Sequence, residues 1–268
     1  MGLMKRRKWL LFPVLLLMIL CAMLLRTRLQ AEAKDILQAI KGKKTVADRV
    51  QEFGDSVWNR LSPDFQRVGM EYPPDRIVLV GLKQERVLEV WVSKGNQRPR
   101  FLKSYPVLGA SGTLGPKLRE GDLQVPEGLY RIDSLNPNSL FHLALRVNYP
   151  NPFDKAKGKL DGRTHLGGDI MIHGKNCSIG CLAMGDRAAE ELFVLAARTG
   201  IQNISVILAP VDLRTTELPD KMPDLPAWAP ELYDSISAEL NKLGKTTDDA
   251  TGNLSTVPIP AGGGQGMM

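Results

Sequence analysis

The sequence is short of the residues that staple, stack or coordinate. It has three cysteines in 268 residues, at positions 21, 177 and 181, and three histidines. Cys21 lies inside an apolar run, so the body of the chain keeps only Cys177 and Cys181, and a disulfide-framed scaffold is excluded. Aromatic residues make up only 6%. Phosphate cradles are missing too. Gly109-Ala110-Ser111-Gly112 and the stretch from Gly121 to Gly128 have neither P-loop nor dinucleotide spacing, and they read as turns. There is no internal repeat. What is present, 43% hydrophobic and 24% charged residues, suits one globular catalytic domain with an anchor and tails.

Charge is concentrated at the start. Residues 1–50 hold 11 Lys or Arg against 3 Asp or Glu, which leaves the rest of the chain at −2. Nucleic-acid binding needs a basic stripe with interleaved aromatics in the folded body, so no nucleic-acid partner is expected. Lys5-Arg6-Arg7-Lys8 precedes an uncharged run from Trp9 to Leu25, followed by Arg26 and Arg28. That run makes about 26 Å of helix, enough to span a bilayer with snorkelling flanks. The basic cluster places the N-terminus inside and the body outside, which predicts a periplasmic or extracytoplasmic body on an inner-membrane anchor at 9–25. A signal peptide cleaved near Ala31-Glu32-Ala33 is the competing reading; Arg26 and Arg28 before that site favour the uncleaved anchor. Both readings export the body. Residues 1–33 are accordingly a basic segment followed by an anchor or signal peptide.

Residues 34–74 read as a juxtamembrane helical spacer. Val50, Phe53, Val57, Trp58 and Leu61 recur at helical spacing, and Pro73-Pro74 closes the segment. From Arg76 the period falls to two. Ile77 to Val80, Val87 to Ser93, Phe101 to Leu108, Leu129 to Ile132, Phe141 to Val147, Ile170 to Ile172 and Ile204 to Leu208 read as strands. One helix runs from Asp186, as N-cap, to a stop at Gly200. This predicts a mostly β domain with α over 75–210. Residues 211–268 read as a proline-rich linker, a short helix from Pro230 to Leu243 and a disordered tail.

The chemistry concentrates in one stretch, from Met171 to Met184, which reads Met-Ile-His-Gly-Lys-Asn-Cys-Ser-Ile-Gly-Cys-Leu-Ala-Met. It sets His173 at a strand end and a Ser-x-Gly-Cys loop just before a helix. A nearby imidazole and backbone N–H groups favour the reactive thiolate, and the N–H groups around Gly180 and Cys181 are placed to bind an oxyanion. This is a cysteine acyl-transfer layout. A zinc site is the rival reading, because His173, Cys177 and Cys181 fall at i, i+4 and i+8 with His165 upstream. Gly174 and Gly180 break the helix such a site would need, and no C-x-x-C pair is present. No metal and no cofactor are expected.

His173-Gly174 followed by Ser178-Ile179-Gly180-Cys181 resembles the YkuD-type L,D-transpeptidase family, and the short spacing and Ala183-Met184 ending are similar to its YafK-like branch. The resemblance extends through Tyr105-Pro106-Val107, Glu120-Gly121-Asp122, Pro126 to Tyr130, Tyr149-Pro150-Asn151 and Gly167 to Ile170. It implies a β-sandwich-like catalytic fold with one helix following the nucleophile, acting on peptidoglycan stem peptides. Cys181 would be the nucleophile and His173 the base. Gly174, Ser178, Ile179 and Gly180 would orient the base or form the oxyanion hole, with His165 the candidate for lining the cleft and His142 structural. An amine of another stem or of a wall-attached protein would resolve the thioester. A hydrolytic relative using water, and a non-catalytic wall-binding module, are the alternatives. Ile179 stands where the common motif has a second His, and Ala183 where many relatives carry Arg or Asn.

Overall fold

The computed structural model describes residues 26, 42–219, 222 and 225–244. The chain divides into two compact units, Met1–Thr45 and Val46–Met268. The anchor expected at 9–25 lies outside the described residues, and the second unit is the subject from here on. No helix among the described residues is long and apolar enough to cross a membrane.

Consecutive apolar residues in the first strands are explained by a sheet covered on both faces. Strands β1 (Arg76–Leu82), β2 (Val87–Ser93), β3 (Arg100–Pro106), β4 (Gly128–Ser139), β5 (His142–Val147), β6 (Met171–His173), β7 (Leu182–Ala183) and β8 (Ile204–Ala209) form one sheet ordered β3-β2-β1-β8-β4-β5-β6-β7. Ile77, Leu79, Leu88, Val90, Val92, Ile204, Val206 and Leu208 enter one core with helices α1 (Val46–Arg67) and α3 (Asp186–Thr199). Val80, Leu82, Trp91, Ile207 and Ala209 point the other way, into a second core under α4 (Ala229–Leu243). Alternation at period two divides the residues between the cores.

Three features differ from the sequence expectation. The β-sandwich-like form is a single eight-stranded curled sheet: β4 pairs with β8 through its first residues and with β5 through the rest, bending at register shifts after Ile132 and Asn136. Within 75–210 the chain holds two α-helices where one was expected, the additional one preceding β6. Helix α2 (Pro152–Leu160) starts on a capping box, in which Asn151 Oδ1 accepts from Asp154 N–H and Asp154 Oδ2 from Asn151 N–H. Lastly, α1 belongs to the same compact unit as the sheet. Val57, Leu61 and Phe65 are fully buried, and Arg60 reaches Glu191 Oε1 (2.6 Å) and Glu190 Oε2 (3.0 Å) on α3. The Tyr105 hydroxyl donates to Glu191 Oε2 (2.7 Å); burial first, and the adjacent carboxylate second, push that phenol well above its ordinary pKa.

Candidate active site

Register builds the site. Strand β6 runs between β5 and β7, with Ile172 opposite Leu145 and Leu182, and His173 opposite Ala144 and Ala183. Leu145, Ile172 and Leu182 bury themselves in the core under α3. His173 therefore projects from the opposite face, between two alanines small enough to admit it. One register step back, Met171 lies opposite Arg146. Cys181 comes just before Leu182, level with Met171, whose backbone favours its thiolate form.

His173 is 2% exposed, with Nδ1 2.6 Å from the Gly174 carbonyl and the Phe141 ring 4.6 Å away at 32°. A carbonyl only accepts, so Nδ1 carries the proton and Nε2 keeps its lone pair. Burial lowers the imidazole pKa, and the Gly174 carbonyl partly opposes that. The residue after the histidine must be glycine: a Cβ at Gly174 would sit 2.6 Å from both Asp186 Oδ1 and the Phe141 carbonyl. Asp186 is the first residue of α3 rather than its cap, and its Oδ1 accepts from Lys175 N–H (2.8 Å). Gly174→Ala is expected to cost about 1–3 kcal/mol through overpacking, read by thermal melting, and to reduce activity by displacing the carbonyl that orients His173.

The Cys181 thiol is partly exposed and donates to the Asp169 carbonyl at 3.5 Å. Burial raises its pKa; the Met171 backbone and Lys117 lower it, while Asp169 raises it further. Both shifts favour the neutral forms, a thiol at Cys181 and an imidazole at His173.

The two N–H groups expected to meet an oxyanion already have partners. Gly180, at φ +86°, donates to Ser111 Oγ (2.6 Å), and Cys181 N–H donates to Ser178 Oγ (3.0 Å), whose hydroxyl returns a bond to the Cys181 carbonyl (2.5 Å). Ser111 also donates to the Leu123 carbonyl (2.7 Å), so the Gly109 to Gly128 loops that read as turns form a wall against the Cys181 loop. Buried polar groups hold that wall. Glu127 accepts from Gly115 N–H (2.7 Å) and the Tyr233 hydroxyl (2.8 Å) and pairs with Lys83 (2.9 Å), while Gln124 bonds Thr113 and Gly115.

The remaining candidates are placed as follows. Ile179 is 77% exposed, two residues before Cys181. His165 is exposed, bonded to Thr164 Oγ1 (2.9 Å), and its carbonyl accepts from Glu120 N–H, which ties the segment leading to Asp169. His142 meets Glu190 and the Phe53 ring. Cys177 is an exposed free thiol. No group of three or more potential metal-ligating side chains occurs among the described residues. Sequence reasoning missed Ser111, Phe141, Arg146 and Asp169 as site residues. Only Asp169 carried a signal, as part of the Gly167 to Ile170 motif.

A curated Escherichia coli (strain K12) protein named "Putative L,D-transpeptidase YafK" is 40% identical over 113 residues, covering 41% of this chain and 43% of that protein. The chain thus spans less than half the length of that relative. Among solved structures, the helical cell shape determining protein Pgp2 from Campylobacter jejuni aligns with a TM-score of 0.43 at 22% identity, covering 56% of this chain and 52% of its own. Bd1075 of Bdellovibrio bacteriovorus aligns with a TM-score of 0.38 at 19% identity, covering 64% and 56%. The model of the L,D-transpeptidase catalytic domain, YkuD, matches residues 75–208. That span, half of the chain, takes in every strand from β1 to β7, the His173-Gly174 turn and the Cys181 loop, and the protein belongs to the YkuD L,D-transpeptidase catalytic domain family.

Proposed function

We propose that the protein is a peptidoglycan L,D-transpeptidase that works outside the cytoplasm through a cysteinyl thioester on stem peptides, with Cys181 as nucleophile and His173 as base. The observation that carries this reading is the fixed tautomer of His173, buried one strand from the Cys181 loop with Nδ1 committed to the Gly174 carbonyl. Its Nε2 takes the thiol proton as sulfur attacks the carbonyl of the third stem residue. The C–N bond to the terminal D-residue then breaks, and the same proton passes to the departing amine. An amine of a second stem or of a wall protein attacks the thioester, restores the thiol through His173 and leaves an amide. Binding the oxyanion requires Ser178 or Ser111 to yield its N–H donor to the substrate. The basic-flanked run at 9–25 supports an exported body held at the inner membrane.

The test uses the full chain with tetrapeptide muropeptides and mass spectrometry. A protein adduct with loss of the terminal residue supports the thioester. Dimers mark transfer, whereas shortened stems without dimers mark hydrolysis and overturn the transferase assignment. Unchanged substrate overturns the enzyme itself.

The pH profile follows from two displaced groups. The base must be neutral, and its pKa lies below the ordinary histidine value, so the acid limb of kcat/KM should fall only below about pH 6.5. The thiol titrates above its ordinary value, so alkylation of Cys181 by iodoacetamide should accelerate with pH beyond the range of a free cysteine. An acid limb centred above pH 7 would contradict the neutral-imidazole mechanism.

A further inference from the structure

Trp58 and Tyr72 form a solvent-facing aromatic shelf far from the Cys181 loop. Trp58, on α1, is 39% exposed, with its ring 4.8 Å from that of Tyr72 at 38°, and the buried Phe65 packs against both at 6.4 and 5.2 Å. Neither the indole N–H nor the Tyr72 hydroxyl has a hydrogen-bond partner among the described residues. Beside the shelf is a hollow of about 450 Å³ lined by Pro73, Pro74, Arg76, Asn96, Arg198 and Asn203. Shelf and hollow are continuous. Pro73 follows Tyr72 directly, and the Arg198 guanidinium reaches α1 at Gly54, one turn before Trp58 on the same face, where a Cβ would lie 3.5 Å from its Nη2. Arg198 also lowers the Tyr72 pKa, which burial raises.

Free cations and amides dominate the hollow. Arg76 and Arg198 are exposed, and neither side chain has a hydrogen-bond or ion-pair partner among the described residues. The carboxylate in the wall, Asp75, is already engaged by Lys94 (3.0 Å) and Gly95 N–H (2.8 Å). Thr199 closes the same wall, and its Oγ1 is the one buried side-chain polar atom without a partner among the described residues. An aromatic face beside unpaired guanidinium and amide groups suits a sugar: the apolar C–H face of the ring lies on the indole, while hydroxyl and acid groups meet the polar side chains.

We propose that Trp58, Tyr72, Arg76 and Arg198 form a binding site for an acidic wall glycan, its sugar rings stacking on the shelf and its carboxylates pairing with the two arginines. The choice of a wall glycan follows from the function proposed above, while the binding itself does not depend on the thiol. Helix α3 runs from Asp186, which bonds Lys175 N–H beside Gly174, to Thr199 in the hollow. Its 14 residues set the two sites about 20 Å apart, farther than the roughly 10 Å that three extended stem residues span. The sugar held here is therefore not the one bearing the attacked stem. The site grips the polymer and leaves the reacting peptide free.

The experiment measures binding by titration calorimetry to the full chain carrying Cys181→Ala, which takes no acyl group. The probes are wall glycan chains stripped of their stems, which expose sugar carboxylates, and neutral chitooligosaccharides of matched length. Both should bind, the acidic chain at least about tenfold tighter, the worth of one ionic contact. Trp58→Ala should weaken both by at least about tenfold, as loss of an anchoring aromatic does. Arg76→Gln/Arg198→Gln should bring the acidic chain down to the affinity of the neutral one. With Cys181 restored, every variant should acylate a sugar-free tetrapeptide at the wild-type rate. No binding of either chain overturns the site, as does binding that Trp58→Ala leaves unchanged, which marks attraction by charge alone. Should Trp58→Ala fail to fold, the double arginine variant decides, because both side chains are exposed: an undiminished preference for the acidic chain overturns the site. Glycan binding without a thioester on any stem overturns the proposed function and leaves this site standing, whereas a thioester without glycan binding overturns the site alone.

Discussion

Cys181→Ala should abolish acyl-enzyme formation and turnover, a loss on the order of 10⁴-fold or more, while Cys177→Ala keeps activity within a few-fold of wild type. The contrast rests on position. Cys181 is half-buried, level with Met171 and one strand from a histidine with a defined tautomer. Cys177 is exposed, and its side chain has no partner among the described residues. Alanine at 181 removes one sulfur and leaves the backbone bonds to Ser178 in place. Its stability should stay within about 1 kcal/mol, as for substitutions away from tightly packed sites. A melting curve therefore separates lost chemistry from lost fold. Residual thioester on Cys181→Ala together with inactivity of Cys177→Ala would transfer the nucleophile to the other cysteine.

The parts of the site that lie on regular strands are legible in sequence, and the parts held by side-chain bonds to loops are not. Met171-Ile172-His173 shows its two faces by alternation, and the Gly174 that follows is demanded by contacts with Asp186 and Phe141. Residues 109–128 show only turn chemistry. Their function depends on Ser111, Gln124 and Glu127 reaching backbone groups 9 to 69 positions away, contacts with no period to detect. The same limit governs the oxyanion donors. A sequence names the N–H groups of Gly180 and Cys181, whereas only coordinates reveal serine hydroxyls already on them. Helix α1 reads as a spacer because its amphipathic stripe has no visible counterpart in the primary structure; Arg60 finds Glu190 and Glu191 more than a hundred residues on. The Asn151-Pro152-x-Asp154 signal for α2 was there to be read.

Glu127→Ala should destabilise the protein by about 3–5 kcal/mol, a melting shift of about 6–20 °C for a unit of this size. Glu127 is 1% exposed, and its removal strands three groups: the Lys83 ammonium, the Tyr233 hydroxyl and Gly115 N–H. Burial already depresses the Lys83 pKa, with Glu127 the chief opposing influence. Without that carboxylate the lysine sheds its proton or draws in water, and either response disturbs the Gly115 and Val125 carbonyls it bonds. Those carbonyls belong to the wall that presents Ser111 to Gly180. Activity should consequently fall in folded protein below the melting transition, with kcat affected more than KM, since the damage reaches the Cys181 loop through Ser111 and Gly180. The double variant Lys83→Met/Glu127→Gln removes both charges and should recover a large part of the lost stability. If Glu127→Ala melts within about 1 kcal/mol of wild type, the buried pair does not hold this wall, and the link from α4 through Tyr233 and Glu127 to the Cys181 loop fails with it.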